Sequence, residues 1–328
     1  MSELFPWQQS MWQQLTANSQ FAHAYLFYGH QGIGKRQFVE CFAALLLCQK
    51  PQQKACGHCS SCRLLAAQTH PDFFHLAPEE EGKSIVIGQV RELVADIAQT
   101  AQQGGRQVVI VEPTEAMTLG ASNALLKNLE EPSGSTVFLL VSDQISFLLP
   151  TIKSRCVLQK CTMPNNQQAL DWLKSAKPDI QDNDLQAALA LAGNSPLKAL
   201  SLLELDVLAQ YERVVEGVKK LFKQQVTASD LALAWAKIPQ EWLINWFADW
   251  TQAILRFKLT QDMPLLETNS MFPVIKYLAE KTQLEPLIEV QNWLLDHRQK
   301  VLKRVPLRAD LLFEGLLYRW LGLLARKN

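Results

Sequence analysis

The sequence predicts an α/β domain with a parallel sheet, followed by a small helical domain and an all-α C-terminal domain. Short apolar runs alternate with helical stretches up to about residue 160, which is how strands covered by helices on both faces read. A glycine-rich turn lies directly between the first apolar run and a helical segment. Past about residue 160 the strand signal vanishes and amphipathic segments follow one another. The expected boundaries are 1–162, 163–206 and 207–328. A chain of 328 residues has room for two or three domains at about 100–200 residues each.

Ala24-Tyr25-Leu26-Phe27-Tyr28 is the first strand candidate, stopped by Gly29. Phe73 to Leu76 is a second, interrupted by His75. The β-branched run Gln107-Val108-Val109-Ile110-Val111 and the run Thr136-Val137-Phe138-Leu139-Leu140-Val141 are the strongest, and Cys156-Val157-Leu158 is a short fifth. Helical patterns at 35–47, 88–102 and 121–129 separate them, and the crossovers should be right-handed. Three short helices are expected at 165–175, 182–192 and 196–205, with Asn, Asp and Ser at their starts as N-caps. Longer helices follow at 209–222, 229–237, 241–259, 273–281, 284–303 and 308–326, with breaks containing Pro239, Pro264 and Pro306.

Composition excludes several classes of function. Hydrophobic residues are 48% and charged residues 20%, ordinary for a folded chain. Lys+Arg and Asp+Glu are 32 each, so the formal net charge is zero, which argues against coating nucleic acid by charge alone. No stretch approaches ~18 uncharged apolar residues, so no transmembrane helix is expected. Met1 to Trp12 lacks the basic and apolar regions of a signal peptide. The expected location is the reducing cytoplasm, where seven cysteines read as thiols or metal ligands rather than a disulfide framework.

Gly29-His30-Gln31-Gly32-Ile33-Gly34-Lys35-Arg36 has the context of a phosphate-binding loop, after a strand and opening a helix. Gly29, Gly32 and Gly34 would let backbone N–H groups face a phosphate, and Lys35 would reach the outer phosphates. Position 36 should be Ser or Thr to hold Mg²⁺, and it is Arg. At the end of the strongest strand, Glu112 could hold Mg²⁺ through water, but Pro113 cannot polarise water or accept a proton. Two separate positions therefore break the same chemistry, and nucleotide turnover at this loop is not expected.

Cys48, Cys56, Cys59 and Cys62 have the spacing C-x7-C-x2-C-x2-C. Four thiolates satisfy tetrahedral Zn²⁺ with no open position, so the site would be structural, and Gly57 eases the turn between ligands. His58 could compete as a ligand; redox pairs and an iron–sulfur centre are the alternatives, with four clustered thiols favouring metal. Cys41, Cys156 and Cys161 read as small buried apolar residues. Trp242, Trp246 and Trp250 fall at i, i+4 and i+8; core packing is the plainer reading and subunit contact the other. Arg298, Lys300, Lys303, Arg304 and Arg308 form a basic cluster, favoured as a solvated helix end over a DNA contact.

Asn123-Ala124-Leu125-Leu126-Lys127-Asn128-Leu129-Glu130-Glu131-Pro132, followed by Ser154-Arg155-Cys156, resembles the clamp-loader branch of the AAA+ ATPases. The four-cysteine insert (48–62) is similar to that of bacterial clamp-loader subunits, and so are Phe5-Pro6-Trp7, the 21–27 entry and Thr69-His70-Pro71-Asp72-Phe73. The motif resemblance covers roughly residues 5–200. It implies a P-loop AAA+ domain, a helical lid and a helical C-terminal collar. It also implies a hetero-pentameric spiral with ATPase motor subunits and a clamp-opening subunit, which loads a sliding clamp on primer-template DNA. Arg155 would then act in trans as an arginine finger, while ATP is bound mainly by neighbouring subunits. Motors of this branch keep a loop threonine and an Asp-Glu pair where this chain has Arg36, Glu112 and Pro113, which fits a non-hydrolysing member. A sensor arginine would fall near 193–198, where only Lys198 is available. An active motor of the same branch and a zinc-dependent nucleic-acid-binding module are the rival classes; zero net charge and the lack of aromatic-basic interleaving near the cysteines oppose the latter.

Overall fold

The five apolar runs become five strands of one parallel sheet: β1 (Ala24–Tyr28), β2 (Phe73–Leu76), β3 (Gln107–Val111), β4 (Thr136–Ser142) and β5 (Val157–Lys160). Their order is β2-β3-β4-β1-β5. Every pairing is parallel, with Ala24 opposite Phe138 and Gln107 opposite Thr136. The computed structural model describes residues 3–17, 20–80, 82–103, 105–132, 134–205, 207–260, 270–302 and 305–325. The chain forms two compact units, Met1–Leu205 and Asp206–Asn328.

In the first unit the helices are α1 (Gln9–Thr16), α2 (Lys35–Leu47), α3 (Ser60–Ala66), α4 (Ile87–Ile97), α5 (Leu119–Glu130), α6 (Pro150–Lys153), α7 (Asn166–Ala176), α8 (Asp182–Leu191) and α9 (Pro196–Glu204). Successive strand residues point to opposite faces, and both faces are covered. Val108, Ile110 and Leu139 join Phe38 and Phe42 of α2 in one core. Val109, Val111, Phe138 and Leu140 join Val90 of α4 and Leu125 of α5 in the other. This double burial is why β3 and β4 are continuously apolar rather than alternating.

Several expectations need correction. The pattern at 88–102 runs too far: α4 ends at Ile97, and the Asp72 carboxylate accepts the backbone N–H groups of Gln102 and Gln103 at 2.7 and 2.8 Å. The fifth strand is Val157–Lys160, not 156–158, and it is an edge strand with Val157 and Leu158 exposed. α1, α3 and α6 are additional to the expected helices. Cys41, Cys156 and Cys161 are half-buried rather than buried, and burial pushes their thiols up to about 11, 12 and 11.

The second unit consists of α10 (Val207–Phe222), α11 (Ala228–Trp235), α12 (Gln240–Thr260), α13 (Phe272–Lys281), α14 (Leu284–Leu302) and α15 (Ala309–Ala325). Two of the three stripe tryptophans are core, and Trp242 is half-buried. Trp246 and Trp250 are buried, Trp250 Nε1 donates to the Tyr211 hydroxyl at 3.0 Å, and Trp320 packs on Phe247 with ring centres 4.8 Å apart. Within the basic cluster, Lys300 pairs with Asp296 and Arg308 with Asp310; Lys303, Arg304 and the Pro264 break lie outside the described residues.

Gly217 lies buried in α10, where a Cβ would stand 2.6 Å from Trp235 Cζ2. Gly217→Ala is expected to lower stability by about 1–2 kcal/mol, because overpacking (~1–3 kcal/mol) outweighs the helix-propensity gain (~0.5–1 kcal/mol). A denaturant titration checks this; an unchanged or raised midpoint contradicts it.

Candidate functional site

The glycine loop joins β1 to α2, at the carboxyl ends of the strands, with Gly32 and Gly34 in the left-handed region at φ 75° and 83°. Lys35 is buried. Its Nζ donates to the carbonyls of Gly29 (2.9 Å) and His30 (2.6 Å) and pairs with Asp143, just past β4. An ammonium has three N–H donors, so all three are used inside the chain. Arg36 reaches Glu40 at 3.0 Å and Glu112 at 3.5 Å. A guanidinium thus stands beside the Glu112 carboxylate. Burial raises the Glu112 pKa, and the nearby Arg36 charge opposes that rise.

The loop carbonyls are also taken. Ser195 Oγ donates to Gln31 at 2.7 Å and the Leu197 N–H to Gly32 at 3.0 Å. Trp7 Nε1 donates to Ile33 at 2.9 Å, and Gln8 Nε2 to Gly34 at 2.8 Å. A Cβ on Gly32 would stand 2.4 Å from Ser195 Oγ and 3.0 Å from the backbone N of Lys198, which lies against the same loop. A Cβ on Gly34 would stand 2.4 Å from the Phe5 ring. These glycines are therefore required by packing, independently of any phosphate.

The Sγ atoms of Cys48, Cys56, Cys59 and Cys62 all lie within 4.8 Å of one another, and those of Cys56 and Cys62 are 3.9 Å apart. A tetrahedron with Zn–S bonds of ~2.3 Å has S···S edges of about 3.8 Å, so the four residues fit a metal ion. His58 is exposed, and its Nδ1 lies 2.8 Å from the Cys56 carbonyl, outside the four-thiol group. Burial pushes the Cys62 thiol up to about 12 and raises that of Cys48. At Cys59 burial also opposes ionisation, but N–H groups of Cys62 and Gln49 and neighbouring thiols outweigh it and bring the pKa to about 6. A cation is what would let all four ionise together. The insert is fastened by Ser61, whose Oγ donates to Leu47 at 2.6 Å and accepts from His70 Nε2 at 2.8 Å. His70 Nδ1 in turn accepts the Asp72 N–H at 3.1 Å, and burial lowers the His70 pKa.

Arg155 occupies the turn between α6 and β5, half-buried, with its guanidinium on Glu130 at the end of α5. Sequence reasoning singles out neither Glu130 nor Asp143 as a functional residue. Asp143 carries a usable signal, because ligand sites in open α/β sheets gather beyond the carboxyl ends of strands.

The sheet, the loop between β1 and α2 and the helical segments that follow define a P-loop protein of the AAA+ class. Residues 6–164 match the family described as DNA polymerase III, delta subunit. The chain is 53% identical over 324 residues to DNA polymerase III subunit delta' of Pseudomonas aeruginosa, covering 98% of this chain and 99% of that protein. It is 39% identical over 207 residues to its counterpart in Haemophilus influenzae, with 62% and 63% covered. Against the one in Yersinia pestis it is 30% identical over 337 residues, with 96% and 95% covered. The chain belongs to the family of DNA polymerase III delta' subunits. Among the described residues no helix is long and apolar enough to cross a membrane.

Proposed function

We propose that this chain is a non-hydrolysing subunit of the DNA polymerase III clamp loader, that its own P-loop is a structural joint, and that Arg155 serves as an arginine finger on ATP held by a neighbouring motor subunit. The observation that carries the first part is Lys35, whose three donors are consumed by Gly29, His30 and Asp143. A phosphate arriving there would have to displace an ion pair and two backbone bonds. The Arg36–Glu112 pair argues the same way, and so does the lack of a catalytic acid at Pro113. These features favour the non-hydrolysing reading over an active motor.

In this reading residues 1–162 form the AAA+ domain, 163–206 the lid and 207–328 the collar. The partners are motor subunits and a clamp-opening subunit in a hetero-pentamer. The sliding clamp and primer-template DNA are met through that complex, in the cytoplasm. Cys48, Cys56, Cys59 and Cys62 hold one structural Zn²⁺, which supplies folding energy to the insert and no chemistry.

Loss of Lys35 should therefore cost stability rather than turnover. Lys35→Ala is expected to lower the melting midpoint, because it strands the partners of a buried ammonium at a cost of about 1–3 kcal/mol. ATP hydrolysis by the assembled complex should be unchanged per folded complex, and the isolated wild-type chain should hydrolyse no ATP. Loss of turnover in the folded Lys35→Ala complex, or steady hydrolysis by the isolated chain, contradicts the reading.

A further inference from the structure

We infer that Glu130 is the positioning residue for Arg155, an inference that rests on the arginine-finger reading above. Arg155 Nε donates to Glu130 Oε1 at 2.5 Å, and Nη2 donates to the same oxygen. Nη1 donates to the Thr151 carbonyl at 2.9 Å and lies 3.4 Å from Ser154 Oγ. Glu130 thus takes the Nε edge of the guanidinium, and α6 steadies its far end.

The pairing is poorly explained as a stability device. Both side chains are partly exposed, at 28% for Arg155 and 49% for Glu130, and exposed ion pairs add little to folding. Glu130 is the last residue of α5, followed by Glu131. A carboxylate at a helix C-terminus opposes the helix dipole. Two acids at that end stand in an electrostatically adverse place, and one of them is spent on an arginine outside the core.

What the contact does is fix a plane. A free arginine samples many rotamers, whereas recognition of phosphate oxygens needs the guanidinium fork in one orientation. With Nε and one Nη2 hydrogen on Glu130, the other edge carries the remaining Nη2 hydrogen and the two on Nη1, which meet Thr151 and Ser154. The Nη1 acceptors are a neutral carbonyl and a neutral hydroxyl, and a phosphate oxygen makes the stronger, charge-assisted bond. The end meant for phosphate is therefore exchangeable, while the end on Glu130 is held by charge.

The test uses the reconstituted clamp-loader complex carrying wild-type, Arg155→Ala, Glu130→Ala or Glu130→Gln chain, with ATP hydrolysis stimulated by clamp and primed DNA. The Arg155-dependent part of the rate is the wild-type rate minus the Arg155→Ala rate. Glu130→Ala is expected to lower that part by up to about 10²-fold, the scale of a misplaced catalytic group, in kcat and with KM little changed. Glu130→Gln, which keeps an accepting oxygen, should recover most of it, and the melting midpoints of all the chains should agree. If Arg155→Ala slows the complex but Glu130→Ala turns over at the wild-type rate or faster, the inference is overturned. A change confined to KM, or one matched by a lowered melting midpoint, overturns it too. If Arg155→Ala itself turns over at the wild-type rate, the arginine-finger reading fails instead.

Discussion

Cys59→Ser is expected to release the metal and collapse the insert between α2 and α3, while leaving the sheet folded. Serine would keep one of the two structural roles of Cys59, the N-cap acceptor, and remove the other, the thiolate ligand. The Cys59 Sγ belongs to the four-thiol cluster and also accepts the Cys62 N–H at 3.4 Å, which caps α3. Closed zinc sites in zinc-finger peptides are worth about 10–16 kcal/mol of apparent binding energy, far more than the small core of Ala44, Ala55 and the cysteines could replace. Burial holds the Cys48 and Cys62 protons on in the metal-free chain, the latter up to about 12, so metal binding must release them and affinity falls as pH falls. Cys59, at about 6, adds its own proton competition only in more acidic solution. Elemental analysis should find one zinc per wild-type chain after chelator washing and well under one in Cys59→Ser. Limited proteolysis should cut the variant within 49–58. A metal-free wild-type chain with an intact, protease-resistant insert contradicts the assignment.

What is legible in the sequence is whatever depends on neighbours along the chain. The bounds of β1 and β3 follow from local apolar runs stopped by Gly29 and by Glu112-Pro113, and α2 begins at Lys35 straight after the glycine loop. The four cysteines are close in sequence, so their spacing already encodes their meeting. α3 escapes because its N-cap is a thiol rather than Ser, Thr, Asp or Asn, which leaves the usual start signal unwritten. α1 escapes because its buried residues, Trp12 and Leu15, make too short a stripe to stand out. The self-satisfied state of the P-loop is illegible for a different reason. Ser195 meets Gln31 across 164 residues and Gln8 meets Gly34 across 26. No local pattern says that a loop glycine faces Phe5 rather than a phosphate. The same holds for Glu130 and Arg155, which are 25 residues apart and on different elements.

Arg155→Ala is expected to leave the chain folded and assembled. The residue lies in a turn, is not among the buried core residues and contributes a partly exposed ion pair, worth at most about 1 kcal/mol. Its cost should fall on hydrolysis in the neighbouring subunit. Arginine fingers accelerate NTP hydrolysis by about 10³–10⁵ in the best-measured systems. The fall for the whole complex should be smaller, since only the one ATP site that Arg155 serves loses its finger. Arg155→Lys should rescue poorly, because an ammonium cannot present the planar fork that Glu130 and Thr151 orient. The decisive measurement is the clamp- and DNA-stimulated ATPase of the reconstituted complex, with assembly verified, carrying wild-type, Arg155→Ala or Arg155→Lys chain. The expected result is a clear loss of rate in both variants with intact assembly. Equal rates in all three complexes contradict the arginine-finger role and leave Arg155 as the surface partner of Glu130.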